Sequence, residues 1–124
     1  MASPNTELQE FRKAVSSLRL ALDAPLTDLN RDATIQRFEF CIELAWKVSK
    51  KVLGTSSSAP KTVIREMAQD GLIDNPEIWL GYVDLRNLTV HTYREALAKE
   101  VYEKCKPFLK DVLQLLKKLE ERVA

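Results

Sequence analysis

Apolar residues recur along this chain at spacings of three and four, the period of an α-helix with one apolar face. No stretch shows the strict alternation of apolar and polar residues that is typical of a half-buried β-strand. Glycines and prolines separate five such helical stretches. We therefore expect an all-α fold, an antiparallel up-and-down bundle of about five helices. The expected helices cover residues 4–23, 29–53, 60–70 and 94–123, with the fourth beginning at Asp74 or Asn75.

Residues that start and stop helices support these boundaries. Ser3 can cap the first helix, and Gly54 is a stop signal for the second. Gly71 is expected to adopt a left-handed conformation after the third helix. Asp74 followed by Glu77 resembles the capping box that opens a helix.

The second helix has a wider apolar face than its place in a small bundle requires. Its apolar residues cover an arc of about 200°, whereas an outer helix needs only about half of that. The residues concerned are Ile35, Phe38, Cys41, Ile42, Leu44, Ala45, Trp46, Val48, Val52 and Leu53. In so small a domain we expect a second subunit to cover the surplus, which predicts a homodimer or a higher even oligomer.

Length and composition predict one domain over residues 1–124, with no membrane contact. The chain is 45% hydrophobic, and its 19 basic and 18 acidic residues argue against coating nucleic acid by bulk charge, though they leave room for a local basic pocket. Neither a signal peptide nor a run of about 18 apolar residues is visible, so we expect a soluble, cytoplasmic protein. Cys41 and Cys105 fit buried thiols in a reducing compartment.

Arg86 lies in the middle of the apolar face of the fourth helix, between Trp79 and Tyr82 on a helical wheel. A bare, buried guanidinium costs several kcal/mol, so the charge needs water, a partner or a ligand. Either the stem lies on apolar surface while the head reaches solvent, or the head pairs with a carboxylate from another helix, or it binds a ligand.

His91, the only histidine, follows five residues later in polar and aromatic company: Asn87, Thr89, Thr92 and Tyr93. An arginine fork suits phosphate oxygens, and a histidine can exchange protons near neutral pH, so the segment suits a phosphodiester or a nucleotide. In one continuous helix, Arg86 and His91 would lie about 140° apart. Either the helix ends or distorts before His91, or a symmetric dimer assembles the site from two copies.

The sequence offers no other route to phosphate chemistry. It has one histidine and no carboxylate cluster at ligand spacing, so we expect no metal site and no cofactor. It also lacks a glycine-rich phosphate loop.

The Arg-x4-His spacing of Arg86 and His91 resembles the signature of the HEPN superfamily. Further blocks resemble one of its branches, the nucleotidyltransferase substrate-binding protein family. They are TIQRFEF (34–40) continuing through ELAWK (43–47), PKTVIRE (60–66), GLID (71–74), IWL (78–80), DLRNLT (84–89) and HTY (91–93). The similarity spans nearly the whole chain, and the ordered set of blocks is more specific than the motif alone.

The resemblance implies a dimeric helical bundle that partners a separately encoded minimal nucleotidyltransferase. Related pairs act as toxin and antitoxin: the helical subunit is a metal-independent endoribonuclease, and its partner silences it by transferring AMP to a tyrosine. Carried over, Arg86 would hold the scissile phosphate, His91 would act as general acid or base, and Asn87 would orient them. Tyr93 would accept AMP.

Glu43 and Trp46 match positions of that family, and with Thr89 we assign them to substrate binding, although the chemical roles of Glu43 and Trp46 remain open. Three functions stay open at this point. The chain is a ribonuclease toxin acting on RNA, or a non-catalytic subunit that presents a nucleotide or other substrate to the nucleotidyltransferase, or a helical adapter without a catalytic role.

Overall fold

The computed structural model describes residues 4–124, with side chains from residue 5 onward. Its five α-helices are α1 (Pro4–Asp23), α2 (Asp28–Leu53), α3 (Pro60–Gln69), α4 (Pro76–Leu88) and α5 (Glu95–Val123), with one 3₁₀ turn, Thr89–His91, after α4. No strand occurs in this range, so the prediction of an all-α bundle is confirmed. Ser3, the expected cap of the first helix, lies outside the described residues.

Side-chain caps set the helix boundaries within a residue or two of those expected. The Thr27 hydroxyl accepts a hydrogen bond from the Asn30 amide at 3.0 Å, so α2 begins at Asp28. The cap of α4 is Asn75, whose side chain accepts from the Ile78 amide at 3.3 Å; the expected capping box at Asp74 was therefore wrong. Gly71 has φ 79°, which confirms its predicted left-handed conformation.

Helix α2 is the central element of the bundle. It packs against α1, α3, α4 and α5, and the four-residue connection 24–27 makes it antiparallel to α1. Its broad apolar face is buried by these four helices of its own chain; Ile35, Phe38 and Ala45 are at most 3% exposed. The wide arc therefore needs no second subunit, and the reason we gave for one was wrong. Dimerisation stays a prediction without that support.

An aromatic cluster joins α2, α4 and α5. The ring of Phe108 lies edge-on to Phe38 at 4.8 Å, to Tyr82 at 4.9 Å and to Trp79 at 5.8 Å between ring centroids. The Tyr82 hydroxyl also donates a hydrogen bond to the carboxylate of Asp111 on α5. These contacts position the face of α4 that carries Tyr82 and, one turn later, Arg86.

A membrane-spanning helix needs a long apolar stretch, and none of the helices among the described residues contains one.

Candidate active site around Arg86 and His91

Arg86 lies in the last turn of α4, and its side chain is half-buried, with 29% exposed. Its Nη1 donates a hydrogen bond to the Thr89 hydroxyl at 3.2 Å. That hydroxyl in turn donates to the Arg86 carbonyl at 2.7 Å. Thr89 is only 5% exposed, so this pair of hydrogen bonds closes the end of α4 and sets the direction of the guanidinium.

Two carboxylates from α2 flank the same guanidinium. Glu39 Oε2 lies 3.7 Å from Nη1, and Glu43 Oε1 lies 3.6 Å from Nε. The two glutamates are one helical turn apart and so share the face of α2 that meets α4. Of the alternatives for Arg86, the structure shows pairing with carboxylates from another helix.

These ion pairs hold the arginine without saturating it. Both separations exceed hydrogen-bond distance, and Nε is buried without a hydrogen-bond partner in the described chain. Because Nε is buried, the exposed 29% of the side chain belongs to its other atoms. These are the atoms that a phosphate oxygen would contact. The guanidinium is therefore positioned and still able to take a ligand.

His91 is placed by the end of α4, after Leu88. The chain then makes a 3₁₀ turn over Thr89–His91, and the His91 carbonyl accepts from the Arg94 amide at 3.1 Å before α5 begins. One alternative for the motif's geometry is thus observed: the helix ends before His91. The imidazole is exposed, and no hydrogen bond or ion pair joins it to Arg86 within residues 4–124.

Tyr93 is the most exposed aromatic residue of the segment, at 75%. The centroid of its ring lies 6.1 Å from the centroid of the His91 ring. The guanidinium carbon of Arg94 lies 5.8 Å from the same Tyr93 centroid. Its hydroxyl is therefore open to a second protein while its ring borders the imidazole.

The other residues singled out in the sequence fall in different places. Asn87 is exposed beside Arg86 and forms no contact that fixes its amide in the described chain. Thr89 contacts Arg86 rather than open solvent. Trp46 is 9% exposed and packs in the core, with the Lys47 ammonium 5.6 Å from its ring, so its position favours packing over direct contact with a substrate.

Glu39 and Phe40 are the site residues that the sequence did not single out. Glu39 pairs with Arg86, and Phe40 is 46% exposed on a helix that is otherwise central to the core. The available signal was the spacing of Glu39 and Glu43, one turn apart, opposite an arginine that needs a partner. Among residues 5–124, no group of three or more His, Cys, Asp or Glu side chains is placed to hold a metal ion.

The fold and the site together define a small helical subunit that presents an arginine, a histidine and a tyrosine from one short segment at the end of its fourth helix. The chain belongs to the family of nucleotidyltransferase substrate-binding-like proteins, whose model matches residues 6–121. This confirms the family resemblance at residues 34–93.

Relatives agree with this membership. The chain is 35% identical over 96 residues to a Haemophilus influenzae protein named "Probable ribonuclease HepT", a match covering 71% of this chain and 66% of that relative. The chain thus spans just under two thirds of that protein's length. A crystal structure from Thermus thermophilus superposes with a TM-score of 0.82 at 34% identity, covering 88% of this chain and 98% of that one.

A second solved structure, from Haemophilus influenzae, has a TM-score of 0.81 at 30% identity and covers 91% of this chain and 98% of its own. It is described as revealing the fold of a substrate binding domain of a nucleotidyltransferase.

Proposed function

We propose that this chain is a metal-independent endoribonuclease whose activity is controlled by a separately encoded minimal nucleotidyltransferase. The observation that carries the proposal is the presence of two groups in one short segment. One is a guanidinium positioned by ion pairs, with Nε free of hydrogen bonds in the described chain, and the other is an exposed imidazole. A phosphodiester needs both: a cation for its oxygens and a group that moves a proton near neutral pH. The name of the 35% identical relative adds support.

Arg86 would bind a non-bridging oxygen of the scissile phosphate through the exposed part of its guanidinium, because Nε is buried beside Glu43. His91 would take the proton of the ribose 2′-hydroxyl, or give one to the leaving oxygen. The 2′-oxygen forms a bond to phosphorus as the bond from phosphorus to the 5′-oxygen breaks. The products are a 2′,3′-cyclic phosphate and a 5′-hydroxyl, and Arg86 stabilises the charge that develops on the way.

In this scheme Glu43 positions Arg86, as its distance from the guanidinium indicates. At 3.6 Å from Nε it holds Arg86 in place rather than contacting RNA, and Glu39 does the same from Nη1. Asn87, exposed beside Arg86, would orient the bound phosphate. Because Arg86 and His91 are not in contact within one chain, we also propose that a dimer places the imidazole of one copy near the guanidinium of the other.

Control would act through Tyr93. Its exposed phenol oxygen would attack the α-phosphorus of ATP held by the nucleotidyltransferase, lose its proton and release pyrophosphate. The resulting AMP would lie beside His91, where it adds negative charge and bulk next to the site. This step uses the partner's ATP, so the helical chain itself supplies only the acceptor.

RNA cleavage by the purified chain in EDTA tests the proposal. We expect cyclic phosphate ends, and a rate lowered at least about 10²-fold by His91→Ala, the range for loss of a general acid or base. Arg86→Ala should be at least as severe. The matched control is Arg12→Ala, which removes an exposed arginine paired with Glu120 at 2.7 Å. Intact RNA with unmodified Tyr93 and a folded protein would refute nuclease activity.

Co-expression with a minimal nucleotidyltransferase of the proposed partner class tests the control step. Mass spectrometry should find AMP on Tyr93, and the modified chain should leave RNA intact. Tyr93→Phe removes only the acceptor oxygen and should abolish the adduct. An adduct elsewhere on Tyr93→Phe, or none on the wild type, would contradict the assignment of Tyr93.

A second function is favoured by one observation: Arg86 already lies between two carboxylates, which suits a site that binds without turnover. Here the chain would present a nucleotide to the nucleotidyltransferase. It predicts saturable nucleotide binding that Arg86→Ala weakens, a stable complex with the partner, and no cleavage products.

A further inference from the structure

An open groove lies between the N-terminal half of α2 and the chain that follows α4. It has a volume of about 450 Å³ and is lined mainly by Asp32, Gln36, Glu39, Phe40 and Thr92. This volume is within the range of roughly 300–1,000 Å³ found for small-molecule sites. The size suits a nucleobase with part of its sugar.

The groove is lined by a residue that contacts Arg86 and by the residue that follows His91 in the chain. One wall includes Glu39, whose carboxylate lies 3.7 Å from Arg86 Nη1. The opposite wall includes Thr92, the residue between His91 and Tyr93. A phosphate held by Arg86 would therefore place its neighbouring nucleotide at the mouth of the groove.

The lining chemistry selects a base over a phosphate. The charged side chains that line the groove are Asp32 and Glu39, whose neighbouring cations, Arg31 at 3.9 Å and Arg86 at 3.7 Å, lie outside the lining. The carboxylate oxygens accept N–H donors, whereas the lining described here offers phosphate no cation. Phe40, 46% exposed, offers the apolar face on which proteins stack unpaired bases.

We propose that this groove binds the base of the nucleotide next to the scissile phosphate, an inference that rests on the proposed ribonuclease function. The base stacks on Phe40, and its exocyclic amino group donates to the carboxylates and to the Gln36 amide oxygen. Adenine, cytosine and guanine carry such an amino group. Uracil presents carbonyl oxygens on either side of its single N–H, and these face acceptors unfavourably.

Binding is tested first, with a probe that cannot be cleaved. An oligodeoxynucleotide carrying one 2-aminopurine should lose fluorescence on binding, because stacking on an aromatic ring quenches that base. Phe40→Ala should weaken binding about tenfold or more, in line with alanine substitution at stacking aromatics. Phe40→Tyr should restore it. The matched control is Leu20→Ala, which truncates an apolar side chain, 71% exposed, on α1 and outside the groove lining.

Cleavage is tested second, with oligonucleotides that contain a single ribonucleotide and differ only in one flanking base. We expect kcat/KM to be lower for uracil and lowest for an abasic position. Asp32→Asn should narrow the difference between cytosine and uracil, because an amide both donates and accepts.

The outcomes separate the two proposals. If 2-aminopurine fluorescence is quenched but no oligonucleotide is cleaved, the base-binding proposal stands and the ribonuclease proposal is overturned. Cleavage with equal rates for all four bases and for Phe40→Ala overturns the groove. A Phe40→Ala variant that changes the sedimentation coefficient of the protein and leaves quenching intact also overturns it, because Phe40 would then be covered by a second copy.

Discussion

Thr89 is buried at the end of α4, and its hydroxyl joins two hydrogen bonds to the same residue. It accepts from Arg86 Nη1 at 3.2 Å and donates to the Arg86 carbonyl at 2.7 Å. Thr89→Val keeps the shape of the side chain and removes both bonds. The substitution therefore asks how much of the arginine's placement depends on this hydroxyl.

The expected cost follows from the two bonds. A neutral hydrogen bond contributes roughly 0.5–1.5 kcal/mol and one to a charged group roughly 1.5–3 kcal/mol. The Arg86 carbonyl keeps a partner, because the Thr89 amide also donates to it, and the guanidinium keeps some solvent. The lower ends of both ranges apply, and Thr89→Val should lower the free energy of unfolding by about 2 kcal/mol.

Urea unfolding followed by far-ultraviolet circular dichroism measures this. The matched control is Thr34→Val: Thr34 is also buried, but its hydroxyl donates only one neutral bond, to the Asn30 carbonyl at 2.8 Å. That variant should lose no more than about 1 kcal/mol. A double-mutant cycle of Thr89→Val with Arg86→Met should show a coupling of about 1 kcal/mol. Equal losses at Thr34 and Thr89 with no coupling would refute the reasoning.

Two further predictions concern the core. Phe108→Ala removes the ring shared by three aromatic neighbours and should cost about 4 kcal/mol in urea unfolding, whereas Phe40→Ala should cost about 1 kcal/mol or less; similar losses would contradict the aromatic cluster. Burial raises the pKa of the thiols of Cys41 and Cys105 to about 12, so they ionise in the unfolded chain first, and the free energy of unfolding should fall as pH rises from about 9 towards 12. The free energy of unfolding should fall with pH more steeply in the wild type than in the double variant Cys41→Ala/Cys105→Ala, by up to about 1.4 kcal/mol per pH unit for each thiol. Equal slopes in the two proteins would show that burial does not shift the thiol pKa values.

The helices were predictable because local physics sets them. Period, caps and breakers act within a few residues, and the boundaries differ from the structure by one or two residues. The cap of α4 was wrong because Asp74 and Asn75 are both good caps, and sequence spacing does not say which backbone turns first. The apolar arc of α2 led us to expect a covering subunit, for a different reason. An arc shows how much surface needs cover, whereas tertiary packing decides which helices supply it.

The site was predictable in its residues but not in its arrangement. An arginine on an apolar face must have a partner, and the sequence showed that need. Which carboxylates meet it depends on the packing of α2 on α4, about fifty residues apart in sequence, so Glu39 was missed. The groove beside Phe40 was missed likewise, because it exists only once the chain after α4 lies across α2.

The charges around Arg86 bear on how such a site could be switched. Glu39 and Glu43 are matched by two cations, Arg86 and Lys47, whose Nζ lies 3.7 Å from Glu43 Oε2. The cluster therefore carries no net charge and gives RNA phosphate little net attraction. A site so nearly balanced is sensitive to one added charge. AMP on Tyr93 would bring one more phosphodiester charge beside His91, without any change in the fold. Glu39→Gln removes one charge and should make binding of the uncleavable oligonucleotide tighter, and weaker binding would show that the carboxylate serves placement alone.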